Sequence, residues 1–516
     1  MCRKKRAVIL TLGCKVNQYE SEAFAEMLRR SGIEAAFAES DDSTDEPKPD
    51  GSNYESKCGG SNDESEYGAG TAELKSDINT DESKSDIIIG ESRFVGNTDK
   101  SDADICIINT CSVTAEADRK SRQLVRRMIK EHPGASVYVT GCAAQAAPEI
   151  FSSIPGVCGV IGNAKKTDAV SLALTGDKHE KAEKAEKAPV CSCDLGTAEF
   201  EDMSITGFRR ARAYIKIEDG CESKCAYCII PSVRGKIRSK PRDAVLKEAA
   251  ALTAGGCPEL VLTGIETSAY QFGLASLIEE TDRIPGLKRL RLGSLDPSIM
   301  RPEFTDRYAA CRHTMPHFHL SMQSGCDRTL ASMRRKYNTD SVRKRLEYIR
   351  KTIPDAEFSG DVICGFPGES EKDFEETVKF FRETEFLFLH IFPYSIRPGT
   401  EAASMPNQLP RNIIRERTAA LADIQRKITE KRLNKMINEE KPLDVLIETV
   451  SCAGNTVVLS GHSPQFAEVK IPVSASILHT LCEKENIREN IVRVFPELME
   501  NQVIIASLMS NKSSNY

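Results

Sequence analysis

The stretch EDGCESKCAYCIIP holds Cys221, Cys225 and Cys228, with three residues between the first two cysteines and two between the next. A structural zinc site takes four protein ligands and a disulfide takes cysteines in twos, so a set of three is incomplete by either count. A cuboidal 4Fe-4S cluster held by three thiolates keeps one iron without a protein ligand, and a small molecule can chelate there. No fourth Cys or His stands at ligand spacing nearby, which makes the open coordination position the working part of such a site.

A second set of three is dispersed along the chain: Cys14 in TLGCKVN, Cys111 in INTCSVT and Cys142 in VTGCAAQ. Each follows an apolar run, AVILTLG, ADICIINT or SVYVTG, and helical patterns separate the runs, one from about Asn17 to Ser31 and another from Val113. This alternation predicts a doubly wound parallel sheet, whose loops past the carboxyl ends of the strands share one crevice. Any one of these cysteines reads as an ordinary buried thiol; three at equivalent strand ends predict a second metal site.

The elements that must position both sets divide the chain into an N-terminal unit over residues 1–175, a polar linker over 176–206, a central unit over 207–440 and a C-terminal unit over 441–508. The central unit repeats strand and helix six times, from RAYIKIEDG to FLHIFPYS, which predicts a partial (β/α)6 barrel with its cysteine triplet at the carboxyl edge of the first strand. Gly264 follows the second strand, Gln323, Ser324 and Gly325 follow the fourth, and Gly365 to Gly368 follow the fifth, so they share that edge. After a long polar helix, alternating segments with Gly and Asn turns predict a small C-terminal β-barrel.

Composition sets the remaining bounds. The 18 cysteines are scattered over 516 residues, which fits metal-bound thiolates in a reducing compartment better than a disulfide framework. No membrane segment is predicted, MCRKKRAVILTLG reads as a strand and not a leader, and the expected location is cytoplasmic. The net charge of -6 is local in origin: residues 39–101 hold 17 Asp and Glu against 6 Lys and Arg, and the rest of the chain is net positive. That acidic stretch has too little apolar content to offset the entropy of ordering it and reads as a disordered insertion. Basic clusters at Arg119, Lys120, Arg122, Arg126, Arg127 and Lys130, and at Arg334, Arg335 and Lys336, are candidate phosphate contacts.

With its triplet on a barrel, the chain resembles the radical S-adenosylmethionine superfamily. There the unligated iron chelates the methionine part of the cofactor, and electron transfer cleaves the sulfonium to a 5′-deoxyadenosyl radical. Tyr227 matches the aromatic residue common between the last two cysteines. The motifs LGCKVN, NTCSVT, TGCAAQ, CESKCAYCIIPSVRGK, SMQSGCD, DVICGFPGES and FPYSIRPGTEAASM, in this domain order, resemble the narrower methylthiotransferase family, whose C-terminal barrel is an RNA-binding TRAM domain.

This resemblance implies two 4Fe-4S clusters and S-adenosylmethionine, the second cluster held by Cys14, Cys111 and Cys142 and carrying the sulfur to be inserted. One cofactor molecule methylates that sulfur and another yields the radical that takes hydrogen from an aryl carbon, a bond with no acidic proton for a general base to remove. It implies that Tyr227, Gly264, Gln323, Ser324, Gly325, Gly365 and Gly368 contact the cofactor, although Glu266 departs from the His or Asn more usual in that loop. The implied partners are tRNA and a reductant such as flavodoxin or ferredoxin, with the sulfur donor unspecified. GCKVN together with NTCSVT points to the branch acting at carbon 2 of N6-threonylcarbamoyladenosine beside the anticodon, and Lys15 is the candidate partner of its carboxylate. Branches acting on isopentenyladenosine tend to read GCQMN, and those acting on a ribosomal-protein aspartate GCPKN. An RNA-binding iron-sulfur scaffold without catalysis is the reading of another class, and it would not need the barrel.

Overall fold

The computed structural model describes residues 3–38, 103–175, 187–191, 194–453, 456–474 and 491–509; the acidic stretch 39–101 and much of the polar linker lie outside the described residues. In the N-terminal unit, β1 (Arg6–Thr11), β2 (Glu34–Phe37), β3 (Ile105–Thr110), β4 (Ser136–Gly141), β5 (Val157–Ile161) and β6 (Val190–Cys191) form one parallel sheet in the order β2-β1-β3-β4-β5-β6. All six positions of β3 are buried, as expected for a central strand covered on both faces. Alternate residues diverge accordingly. Ile9, Ile105 and Ile107 pack with Tyr19, Phe24 and Leu28 of the helix Lys15–Arg30, whereas Leu10, Cys106 and Ile108 pack with Val125 and Met128 of the helix Ala115–Glu131. The strands β2 and β6 were not foreseen, because EAAF and VC are short edge strands with little apolar signal; β6 falls within the stretch read as linker.

The central unit contains β7 (Arg212–Lys216), a two-stranded ribbon of β8 (Glu218–Asp219) and β9 (Arg238–Ser239), then β10 (Glu259–Thr263), β11 (Arg289–Leu292), β12 (His317–Gln323), β13 (Glu357–Cys364) and β14 (Phe388–Pro393). Parallel sheets β11-β10-β7 and β12-β13-β14 join through the bridges Leu290 to Thr314 and Leu295 to Leu320. Among the described residues β7 and β14 do not pair with each other, so the six-stranded barrel is open on one side, as expected. The core of the N-terminal unit is continuous with that of the barrel, because the helix Lys15–Arg30 also packs toward Ile215 and Leu260. Tyr19 of this helix donates to Met203 O at 2.6 Å and Glu248 Oε1 at 3.0 Å. No helix among the described residues is long and apolar enough to cross a membrane.

The C-terminal strands β15 (Leu443–Ala453), β16 (Thr456–His462), β17 (Glu468–Ser474), β18 (Ile491–Glu500) and β19 (Val503–Leu508) close a barrel in the order β15-β16-β17-β19-β18. This barrel covers the amino ends of the central strands. Buried Glu259 sits among Arg212 (2.8 Å), Arg291 (3.0 Å) and Arg289 (3.6 Å), while Arg291 also donates to Ser463 O at 2.8 Å and Pro464 O at 2.9 Å. Burial alone would raise the Glu259 carboxyl, but the three arginines outweigh it and hold it at about 2. Glu259→Gln leaves those guanidinium groups without their shared counter-ion and is expected to cost about 3–5 kcal/mol, read as a lower urea midpoint; an unchanged midpoint would show that the arginines are satisfied from the C-terminal barrel alone. With the amino end closed, the carboxyl end is left for chemistry.

Candidate active site between the sheet and the barrel

The three dispersed cysteines converge through the very residues that flank them. Asn17 donates to Leu12 O (2.7 Å) and Thr110 O (3.0 Å), Asn109 donates to Asn17 O (3.1 Å), and Thr110 Oγ1 donates to Thr140 O (2.7 Å). The loops carrying Cys14, Cys111 and Cys142 are thus tied edge to edge, which accounts for the Asn and Thr of GCKVN, NTC and TGC. Gly141 has φ of +102°, and a Cβ there would lie 2.3 Å from Thr110 O, so only glycine fits this close approach. A Cβ on Gly13 would lie 2.9 Å from Cys111 Cβ. Cys111 and Cys142 are buried and Cys14 is exposed.

Cys221, Cys225 and Cys228 sit half-buried past β7, as expected. Each sulfur accepts one hydrogen bond: Cys221 from Ser223 N (3.4 Å), Cys228 from Ile230 N (3.4 Å) and Cys225 from Arg335 Nη1 (3.3 Å). Such donors favour thiolate, whereas burial pushes the thiols of Cys228 and Cys111 up to about 12; a cationic guest is what would keep them ionised. Neither trio brings its three sulfurs mutually within 4.8 Å, the separation that among the described residues only Cys326, Asp373 and Glu376 satisfy. A single tetrahedral ion with metal–sulfur bonds of about 2.3 Å needs sulfurs closer than that, so neither trio is set for one such ion.

Charge at the N-terminal trio favours a thiolate-bound cluster. Arg234 is fully buried and donates from Nε to Cys142 Sγ at 3.3 Å, from Nη1 to Glu20 Oε1 at 3.0 Å and Asp219 Oδ1 at 2.9 Å, and from Nη2 to Asn17 Oδ1 at 2.6 Å. Lys216 pairs with Glu20 (3.0 Å) and Asp219 (3.2 Å), Lys166 pairs with Glu20, and Arg238 lies 3.5 Å from Asp219. Four buried cations therefore gather around Glu20 and Asp219 beside Cys142, with Glu201 a third carboxylate within reach of Lys216. A cluster bound by three thiolates is anionic and would neutralise that excess.

The expected cofactor contacts are placed unevenly. Tyr227 packs against Ala226, Met333, Phe366 and Tyr394, beside the triplet. Gln323 adopts φ of +65° and Gly368 φ of +78°, the latter with open space where a Cβ would stand. The other four positions are explained by packing. Ser324 is buried with its Oγ 3.2 Å from Thr377 Oγ1, and a Cβ on Gly325 would meet Phe380 at 2.7 Å. Cβ atoms on Gly264 and Gly365 would meet Glu218 Oε2 at 2.7 Å and Ile414 at 2.5 Å.

One expectation is corrected. Arg335 is not a phosphate contact: its side chain is 7% exposed and pairs with Asp296 at 2.6 Å, facing the triplet, because the turn after Met333 directs it inward. Arg334 pairs with Glu401. The helix Ala115–Glu131 does keep a basic outer face, since only Ser121, Val125 and Met128 are buried.

The barrel lumen adds residues that the sequence reading missed. His317 Nε2 lies 2.9 Å from Ser359 Oγ, which lies 2.8 Å from His319 Nδ1, and His319 Nε2 lies 3.2 Å from Asp361. Burial works to raise Asp361, but His319, His390 and Lys15 together hold it below its ordinary value. Lys15 of the N-terminal unit therefore places its charge at the lumen. The alternation of β12, HFHLSMQ, was the available signal, since the face that carries His317, His319 and Ser321 is polar where a packed core has aliphatics.

An open parallel barrel with three cysteines at the carboxyl edge of its first strand defines a radical S-adenosylmethionine enzyme. Residues 215–381 match the family model of the Radical SAM superfamily, and residues 78–162 that of Uncharacterized protein family UPF0004. The chain is 38% identical over 378 residues to threonylcarbamoyladenosine tRNA methylthiotransferase MtaB of Chlamydia pneumoniae, covering 73% of this chain and 84% of that protein. It is 28% identical over 507 residues to the MtaB protein of Thermotoga maritima, covering 97% of this chain and 99% of that one. Against tRNA-2-methylthio-N(6)-dimethylallyladenosine synthase of Tropheryma whipplei the identity is 33% over 356 residues, covering 67% and 74%. Among solved structures, the radical S-adenosylmethionine methyltransferase TsrM of Kitasatospora setae matches in fold, with a TM-score of 0.50 at 14% identity over 78% of this chain and 75% of that one. The chain belongs to the radical S-adenosylmethionine methylthiotransferase family, an enzyme family that works with 4Fe-4S clusters and S-adenosylmethionine.

Proposed function

We propose that this enzyme adds a methylthio group to carbon 2 of N6-threonylcarbamoyladenosine next to the anticodon of tRNA. Cys221, Cys225 and Cys228 hold the cluster that binds S-adenosylmethionine, and Cys14, Cys111 and Cys142 hold the cluster that carries sulfur. The observation that supports this most is the contact between the two units that carry the trios, where Arg234, on the helix Ile230–Arg234 just past Cys228, is hydrogen-bonded to Cys142. When bound, the clusters and S-adenosylmethionine supply the electron transfer, methyl donation and hydrogen abstraction that no side chain here can perform.

The chain's own residues bind and orient. The basic face of the helix Ala115–Glu131 faces phosphates, and Thr114 caps this helix while Asp118 is held by Arg397 at 2.6 Å, so the face is fixed relative to the crevice. Lys15 offers positive charge at the lumen, beside the rings of His319 and His390. A threonylcarbamoyl group brings a carboxylate and a hydroxyl to match this polar lining, whereas an apolar isopentenyl group matches none of it. The relatives named for threonylcarbamoyladenosine support the same choice. The electron comes from a reductant of flavodoxin or ferredoxin type, and the setting is the cytoplasm.

Lys15→Ala removes one charge-assisted contact worth about 1.5–3 kcal/mol, so kcat/KM on a threonylcarbamoyladenosine-containing anticodon stem-loop should fall roughly tenfold or more. S-adenosylmethionine cleavage without RNA should be unchanged. Turnover of isopentenyladenosine-containing RNA equal to that of the threonylcarbamoyl substrate would contradict the assignment.

A further inference from the structure

Two buried arginines stand out because each gives one N–H to a cysteine sulfur and three to oxygen. Arg234 Nε reaches Cys142 Sγ at 3.3 Å while Glu20, Asp219 and Asn17 hold its other nitrogens. Arg335 Nη1 reaches Cys225 Sγ at 3.3 Å while Asp296 Oδ2 (2.6 Å), Ser321 O (3.2 Å) and Tyr337 OH (3.1 Å) hold the rest. One such arginine serves each trio. A thiol is a weak acceptor and gives little reason to bury a guanidinium against it; a cluster thiolate is a strong one.

Reduction adds one negative charge to a thiolate-bound cluster. A fixed cation donating to one of its sulfurs stabilises the reduced form more than the oxidised form, and so raises the potential. Neither guanidinium can deprotonate, and neither can swing away, because each is anchored on three sides. We infer that Arg234 and Arg335 are positioning residues that separately set the reduction potentials of the N-terminal and the barrel cluster. This rests on reading the two trios as cluster ligands. The contacts also explain why the helix Ile230–Arg234 follows the triplet so closely: it carries a fixed charge from the barrel to the neighbouring cluster.

The test is an EPR-monitored potentiometric titration of full-length, anaerobically reconstituted protein in two backgrounds. One carries Ala at Cys221, Cys225 and Cys228, leaving the N-terminal site; the other carries Ala at Cys14, Cys111 and Cys142, leaving the barrel site. Arg234→Gln should shift the midpoint to more negative potential in the first background only, and Arg335→Gln in the second only. Arg234→Lys and Arg335→Lys, which keep the charge but lose the fork, should shift it less. Unchanged midpoints, or equal shifts in both backgrounds, would overturn the inference. Where a Gln variant fails to fold, the Lys variant decides, and an unchanged midpoint then counts against it. A background that binds no iron with both arginines intact would overturn the ligand reading itself, and the inference with it.

Discussion

Replacing any one of Cys221, Cys225 and Cys228 with Ala is expected to bring reductive release of 5′-deoxyadenosine by reconstituted protein below detection. The three positions are not interchangeable, since each sulfur has its own donor: Ser223 N, Arg335 Nη1 and Ile230 N. Losing one leaves a half-buried donor without its acceptor and would leave the proposed cluster with two protein ligands. Cys364 and Cys326, buried elsewhere in the barrel, are not placed to substitute: Cys364 is engaged by Thr418, and Cys326 by Asp373 and Glu376. Release at the wild-type rate from any one of these variants would remove the assignment of the triplet.

Changing Cys14, Cys111 and Cys142 together to Ala should have the opposite signature. Iron content should fall by about half, since one of two clusters is lost, and 5′-deoxyadenosine release should persist while methylthiolated product disappears. The loops would keep their geometry, because Asn17, Asn109, Thr110 and Gly141 hold them and none of these contacts runs through a sulfur. Methylthiolated RNA from the triple variant would mean that the sulfur is delivered from elsewhere.

The cysteines were legible in sequence because their positions obey simple rules: three within one loop, and three at strand ends that a doubly wound sheet must bring to one edge. The domain order was legible from the alternation of apolar runs. What escaped was set by tertiary contact. Nothing in RRKY shows that Arg335 turns inward while Arg334 reaches Glu401 at the surface, and nothing in VRGK shows that Arg234 crosses to another domain. Glycines 264, 325 and 365 read as room for a ligand, yet their missing Cβ atoms make room for Glu218, Phe380 and Ile414. Close approach can be foreseen from a glycine; its partner cannot. The helix after Cys14 begins at Lys15 instead of Asn17, a shift of half a turn that brings Lys15 onto the first turn and to the lumen.

The most direct measurement is mass spectrometry of nucleosides from tRNA of cells with and without this protein. The account predicts that 2-methylthio-N6-threonylcarbamoyladenosine is present only with it, and that its unmodified precursor accumulates without it. An unchanged level of that nucleoside, a change confined to isopentenyladenosine derivatives, or a methylthio group found only on a ribosomal protein would contradict it.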